Sequence, residues 1–143
     1  MNSEERREYA KYKLEAAYKT FGAALVLSEN GFWNSAVNRL YYSLFYAVNA
    51  LLVINNIETK SHSGSRSQFS NFFVKTDKFD LKYGKLYSQL FDWRQKGDYD
   101  SIFDYDQESV EPLFEQVKEM IEMKGKLVIL FHLNFSLTTF SSR

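Results

Sequence analysis

One stretch of this chain constrains its fold more than any other: NSAVNRLYYSLFYAVNALLVINN, residues 34–56. Ala36, Leu40, Leu44, Ala47 and Leu51 recur at helical spacing and form one row. Tyr41, Phe45, Val48 and Leu52 form the row beside it. Two adjoining apolar rows make a helix that is covered on more than half its circumference. Such a helix, from near Trp33 to near Asn55, is the centre of a bundle. The rest of the chain has to supply its walls.

Helix signals dominate there too, because one Pro and six Gly leave few breakers. A first helix is expected from about Ser3 to Ser28, with Ser3 as cap, Glu4 and Glu5 in the first turn, and Leu14, Tyr18, Phe21 and Leu25 as its apolar stripe. Asn30-Gly31 reads as a left-handed stop. A short helix over about 65–75 carries Phe69, Phe72 and Phe73, and another over about 80–95 carries Leu81, Leu86, Leu90 and Trp93. The last long helix starts at Asp106 or Ser109 and reaches about Leu130, with Leu113, Val117, Met120 and Leu127 on its buried side. Pro112 favours Ser109 as its cap. Short connections between long amphipathic helices predict an all-α, up-and-down antiparallel bundle of four to five helices over residues 1–130. The tail, 131–143, has no clear period and reads as a strand-like segment, a docking arm or a disordered end.

Composition excludes several classes of function. At 143 residues the chain is one domain with room for a real core. Lys+Arg and Asp+Glu are both 18, so no global charge attracts nucleic acid; RNA binding would need a local cluster or a dimer cleft. There is no Cys, which rules out disulfides and thiolate metal sites and fits a reducing cytoplasm. The N-terminus, charged and without an apolar core, is not expected to be a signal peptide. The apolar run Leu127 to Phe131 is far short of the ~20 residues of a membrane helix. Two His, 62 and 132, with no carboxylate–His pair at helical spacing, give no support for a metal site. GxxxxGK[ST] is absent, and neither His has a nucleophile-elbow context.

Some polar residues do not fit a plain core. Arg39, Tyr42 and Tyr46 share one face of the central helix. They line a groove edge, or Arg39 is a surface residue paired with a carboxylate. His62, in TKSHSGSR, precedes a helix N-terminus, where backbone N–H groups can bind an anion; otherwise it is a solvated loop His. Arg94 and Tyr99, in DWRQKGDYD, are about 140° apart on a straight helix. If Gly97 ends the helix in the left-handed conformation, the chain doubles back and Tyr99 swings toward Arg94. Asp98 would then orient the guanidinium or cap the next segment. The alternative is a helix cap with a packed Tyr.

Three stretches together resemble the HEPN domain family: AVNRLYYSLFYAVNALL at 36–52, TKSHSG at 59–64 and RQKGDYD at 94–100, in the family's order and spacing. The resemblance covers about residues 5–130. It implies an all-α bundle of four to five helices that forms a homodimer, with the Arg motifs of two chains facing across a cleft. Many members are metal-independent endoribonucleases whose motif is Arg, four to six residues, His. Many short members are toxins paired with a minimal nucleotidyltransferase, and others bind nucleotides or act as non-catalytic partners. Arg94 matches the motif Arg, whereas Tyr99 holds the place of the motif His.

That departure matters chemically. A His titrates near 6.5 and moves protons at neutral pH, whereas a Tyr titrates near 10 and is a poor base there. Arg94 and Tyr99 are the expected catalytic pair if RNA is cleaved, with His62 supplying the imidazole if its segment reaches the cleft. Arg39, Tyr42, His62 and Asp98 are the expected nucleotide- or RNA-binding residues. No cofactor or membrane contact is expected. Three readings fit the residues: a nucleotide- or RNA-binding dimer partnered with a nucleotidyltransferase, a metal-independent endoribonuclease, and a structural bundle. In a variant of the first, Tyr99 accepts a nucleotidyl group from that partner.

Overall fold

The computed structural model describes residues 1–99 and 104–141, with side chains described through residue 126. It is an all-α bundle: α1 (Ser3–Glu29), α2 (Trp33–Ile54), α3 (His62–Phe69), a single π-helical turn (Ser70–Val74), α4 (Leu81–Tyr99) and α5 (Gln107–Ser141). α2 packs against α1, α3, α4 and α5. Every member of its two apolar rows is buried except Phe45, which is partly covered. α2 is also the one helix among the described residues long and apolar enough to cross a membrane, and 56% of its most apolar stretch is buried inside the bundle.

Both ends of the α1–α2 unit follow from local chemistry. Asn2, rather than Ser3, caps α1: its side chain accepts the Glu5 N–H at 2.8 Å and the Glu5 carboxylate accepts the Asn2 N–H at 3.2 Å. Gly31 takes φ +77°, and the Phe32 N–H reaches the Leu27 carbonyl at 2.9 Å, which closes a Schellman stop at the expected place. α2 ends the same way on Asn56, at φ +58°.

The α1 stripe is rotated from the expected one. Ala10, Ala17 and Ala24 are fully buried, with Leu14 and Phe21 packed beside them, whereas Tyr18 and Leu25 are largely exposed. Alanine at spacings of seven lets the α1 and α2 backbones approach closely, so the small residues rather than the bulky ones face α2. Two segments also start or end elsewhere than expected. α3 begins at His62, because Ser61 accepts the Gly64 N–H at 2.9 Å and caps it there. The π-helical turn after α3 buries Phe73 beside Phe69 and leaves Phe72 outside. Leu81, at the first position of α4, is exposed.

α5 starts at Gln107, with the Asp106 carboxylate accepting the Ser109 N–H at 2.9 Å, so Asp106 and not Ser109 is the cap. Pro112 therefore sits past the first turn, on the exposed side, where water can reach the carbonyl its missing N–H leaves unpaired. The backbone of α5 continues helically to Ser141, through most of the 131–143 tail; Leu127, expected in the core, lies outside the described side chains.

One core position carries an unexpected residue. Val110, Leu113, Val117, Met120 and Ile121 form the buried stripe of α5, and Lys124 continues it, fully buried. Its amine nitrogen lies 3.7 Å from the Phe69 ring centroid and 5.5 Å from that of Tyr87, with no hydrogen-bond partner among the described residues. Burial pushes its pKa well below the usual 10.5. Unfolding lets the amine bind a proton, so this residue's destabilising effect fades as pH rises toward 10.5 and grows as pH falls. Lys124→Met should raise the unfolding free energy by about 1–4 kcal/mol at pH 7, with a smaller gain at pH 10. Denaturant melts at the two pH values measure this. An equal gain at both, or a loss, would contradict it.

Candidate functional site

The buried stripe of α4 runs through Tyr83, Leu86, Tyr87, Leu90 and Phe91 to Arg94. Four residues beyond Leu90, position 94 falls on the same inward face, so the helix itself carries Arg94 into the bundle. The residue is 6% exposed. Its guanidinium carbon lies 4.9 Å from the Tyr41 ring centroid, 5.7 Å from that of Tyr42 and 6.0 Å from that of Phe91. Its Nε is buried with no hydrogen-bond partner, and among the described residues no carboxylate lies within ion-pair distance. A guanidinium does not shed its proton. Arg94 is therefore a fixed positive charge in an aromatic recess.

His62 meets this recess from α3. Its ring centroid is 4.4 Å from that of Phe45 and 5.7 Å from that of Tyr42. Its Nδ1 is 2.8 Å from the Tyr41 hydroxyl. Burial lowers the His62 pKa, and the Arg94 charge lowers it further, so the imidazole is neutral at pH 7. Burial pushes the Tyr41 phenol up to about 12, a rise the Arg94 charge partly offsets. Tyr41 thus carries the guanidinium against its ring and the imidazole on its hydroxyl.

The remaining expected residues divide. Arg39 and Tyr42 do join the site. The Arg39 guanidinium stacks 5.1 Å from the Tyr42 ring centroid, so Tyr42 lies in contact with both arginines. Arg39 is not paired with a carboxylate in the described structure: its Nε and Nη2 donate to the Asn38 Oδ1 at 3.0 and 2.7 Å. Asn38 in turn donates from Nδ2 to Asp98 at 2.9 Å. Asp98 therefore anchors the Asn38–Arg39 pair from α4 and does not orient the Arg94 guanidinium. Tyr46 turns toward α1, where the Lys13 ammonium lies 5.1 Å from its ring.

Tyr99 is not brought to Arg94. α4 runs straight through Gly97, and Tyr99, 78% exposed, lines a surface hollow with Asp92, Gln95 and Lys96 on the outer face. Gly97 is needed for close packing, not for a stop. A Cβ there would lie 3.3 Å from the Tyr105 ring and 3.8 Å from Asn34. Tyr105 stacks on Trp93 at 4.7 Å and donates its hydroxyl proton to the Trp93 carbonyl at 3.0 Å, while the Asn34 side chain accepts its N–H at 2.8 Å. These contacts pin Tyr105 against α4, which stays helical through Gly97 to Tyr99. Tyr41, Asn38 and Phe91 escaped sequence reasoning as site residues: Tyr41 read as core, Asn38 as a neighbour of Arg39, and Phe91 was not singled out. No group of three metal-ligating side chains exists among the described residues.

The HEPN domain sequence model matches residues 10–127. The chain belongs to the HEPN domain family. Among its relatives is a UPF0332 protein of Thermotoga maritima, 33% identical over 124 residues that cover 87% of this chain and 94% of that protein. Two candidate toxins of Methanocaldococcus jannaschii are also similar. One is 34% identical over 87% of this chain and 84% of its own length. The other is 30% identical over 76% and 81%. The matched span contains α2, α3 and α4 whole, and so all the residues around Arg94 described above.

An unpaired buried guanidinium costs several kcal/mol of desolvation, and cation–π contact returns about 2 kcal/mol. On that balance Arg94 weakens this HEPN fold. Arg94→Met, which keeps most of the side-chain volume, should melt at or above the wild-type temperature at pH 7. A fall of more than a few degrees would show that Arg94 is a structural residue.

Proposed function

We propose that this protein is a HEPN ribonuclease of the toxin type, which cleaves RNA without a metal at the site built by Arg94 and His62. The observation that carries this reading is an imidazole bonded to the same buried tyrosine against which a guanidinium without a carboxylate partner among the described residues packs. In the reaction, His62 takes the proton of a ribose 2′-hydroxyl as that oxygen attacks the adjacent phosphorus. The bond to the 5′ oxygen breaks, and the leaving oxygen takes up a proton. The products are a 2′,3′-cyclic phosphate and a 5′-hydroxyl. Arg94 stabilises the negative charge that builds on the phosphate, by paired N–H contacts a Lys could not make. Arg39, across Tyr42, holds a flanking phosphate. A homodimer would bring two such sites to one cleft, and the cytoplasm would be the place to meet RNA.

The exposed Tyr99 favours a second reading. Its phenol stands free beside Lys96 on the outer face of α4, where a nucleotidyltransferase partner could reach it. In that case the Arg94 recess binds a nucleotide or an RNA end and does not cut it.

Incubation of the purified protein with total RNA in EDTA separates the two. Cleavage should occur with the wild type, fall about 100-fold or more in Arg94→Ala and fall by a similar or larger factor in His62→Gln. Tyr99→Phe should cut as the wild type does. Because the His62 pKa is lowered, the acid limb of the pH–rate profile should lie below 6.5. Intact RNA with wild-type protein, or full activity in Arg94→Ala, would overturn the ribonuclease reading.

A further inference from the structure

The positive charge around the recess does not end with Arg94. His62 opens α3 and Arg66 follows it by four residues, so the two side chains leave the same face of that helix one turn apart. The Arg66 guanidinium carbon lies 4.2 Å from the Phe91 ring centroid, and that of Arg94 lies 6.0 Å from the same centroid. Phe91 is thus shared by two arginines, as Tyr42 is shared by Arg39 and Arg94. Arg39, Tyr42, Arg94, Phe91 and Arg66 form a chain of contacts in which cations alternate with aromatic rings. Arg66 also lines a surface hollow between α3 and α4, with Ser70, Lys85 and Ser88 beside it and Phe69 and Tyr87 beneath. Those two rings are each 1% exposed, so the hollow offers cations and hydroxyls and little ring face. It suits a sugar-phosphate backbone better than a stacked base. The Asp92 carboxylate lies 3.7 Å from the Arg66 Nη1, and both side chains are in partial contact with solvent. That distance exceeds the ~2.7–2.9 Å of a charge-assisted hydrogen bond, and solvated ion pairs hold weakly. Arg66 therefore remains open to a phosphate.

We infer that Arg66 and Lys85 bind backbone phosphates of a single RNA strand next to the one held by Arg94, so that the strand runs from Arg39 over the Arg94 recess into the hollow between α3 and α4. The path rests on the ribonuclease reading for which phosphate is cut; the two contacts need only a strand. Arg94 is 6% exposed, so a phosphate reaches it only on a strand free to bend into the recess, which favours a single strand over a duplex. Cations interleaved with aromatic rings are the usual lining of such a single-strand groove. Contacts to phosphate position the strand and carry no base preference. Arg66 and Lys85 therefore add affinity at every sequence and make a longer strand a better ligand than a dinucleotide.

The test is the affinity of a 2′-O-methyl RNA hexamer for the full chain, measured by titration calorimetry over a series of salt concentrations. The hexamer has no free 2′-hydroxyl, so it binds without being cut. Arg66→Gln keeps much of the stem over Phe91 and removes the charge. It should weaken binding about three- to tenfold at low salt. It should also lower the slope of log K against log salt by about 0.7, the single-strand value for one phosphate contact. Arg66→Lys, which keeps the charge, should keep the slope. Lys85 is exposed, so Lys85→Gln leaves the packing alone. It should lower the slope by a similar amount, which keeps a readout if Arg66→Gln does not fold. If Arg66 only supports Phe91, Arg66→Gln loses affinity with the slope unchanged. An unchanged slope in either folded variant would overturn the path, and so would a wild type that does not bind the hexamer. RNA cut in EDTA together with unchanged slopes would remove the path and leave the ribonuclease reading standing. Intact RNA together with lowered slopes would remove cleavage and leave the path.

Discussion

The contact of the Arg94 guanidinium with the Tyr41 ring, 4.9 Å apart, holds the site together. It forces a charge that cannot be neutralised into a bundle whose other inward positions on α4 are apolar or aromatic. Aromatic faces are the natural lining for such a charge, because their quadrupoles attract it while their bodies still bury surface. The surplus of Phe and Tyr in the sequence is used partly for this. Tyr41 and Phe91 flank the guanidinium, Phe45 and Tyr42 flank the imidazole, and Phe69 and Tyr87 surround the Lys124 amine. A guanidinium and an amine inside one small core cost stability, and α2, whose fully buried Leu40, Leu44 and Leu51 each bring about 1.5–3 kcal/mol of burial, offsets that cost.

The two cations differ in one respect that matters for function. Lys124 can release its proton and behave as an apolar stem, so its burial needs no ligand. Arg94 has no such escape. On the ribonuclease reading proposed above, a permanent charge that lacks an anionic partner among the described residues and sits beside an imidazole would receive an anion, and a phosphate diester brings one negative charge shared by two non-bridging oxygens that the paired N–H donors of a guanidinium fit.

Much of this was legible in the residues. The two rows of α2 predicted the central helix, and Asn30-Gly31 predicted its entry, because both signals are local. Arg94 was legible too, as the Arg of the HEPN-like motif, but its place on the buried stripe four residues after Leu90 came only with the structure. What was hidden depends on partners distant in sequence. Gly97 reads as a stop until Tyr105 and Asn34 are seen packed against it. The bulky Leu14–Tyr18–Phe21–Leu25 row outweighs the alanines of α1 in a single-helix reading, because close backbone approach is a property of two helices and not of one. His62 looked like a loop residue because its neighbours are polar. Its environment comes from Tyr41, 21 residues earlier, and from the cap at Ser61 that turns it into the bundle. Lys124 could be placed on the buried face of α5 by period, but its charge argued for solvent.

The most direct measurement is the affinity of a short single-stranded RNA for the wild type and for Arg94→Lys, by titration calorimetry at fixed moderate salt. Lys keeps the charge and loses the paired, planar N–H contacts. If Arg94 grips a phosphate in that way, binding should weaken by about tenfold or more, the equivalent of roughly 1.4 kcal/mol. Equal affinity in the two proteins would show that the recess under Tyr41 does not hold a phosphate.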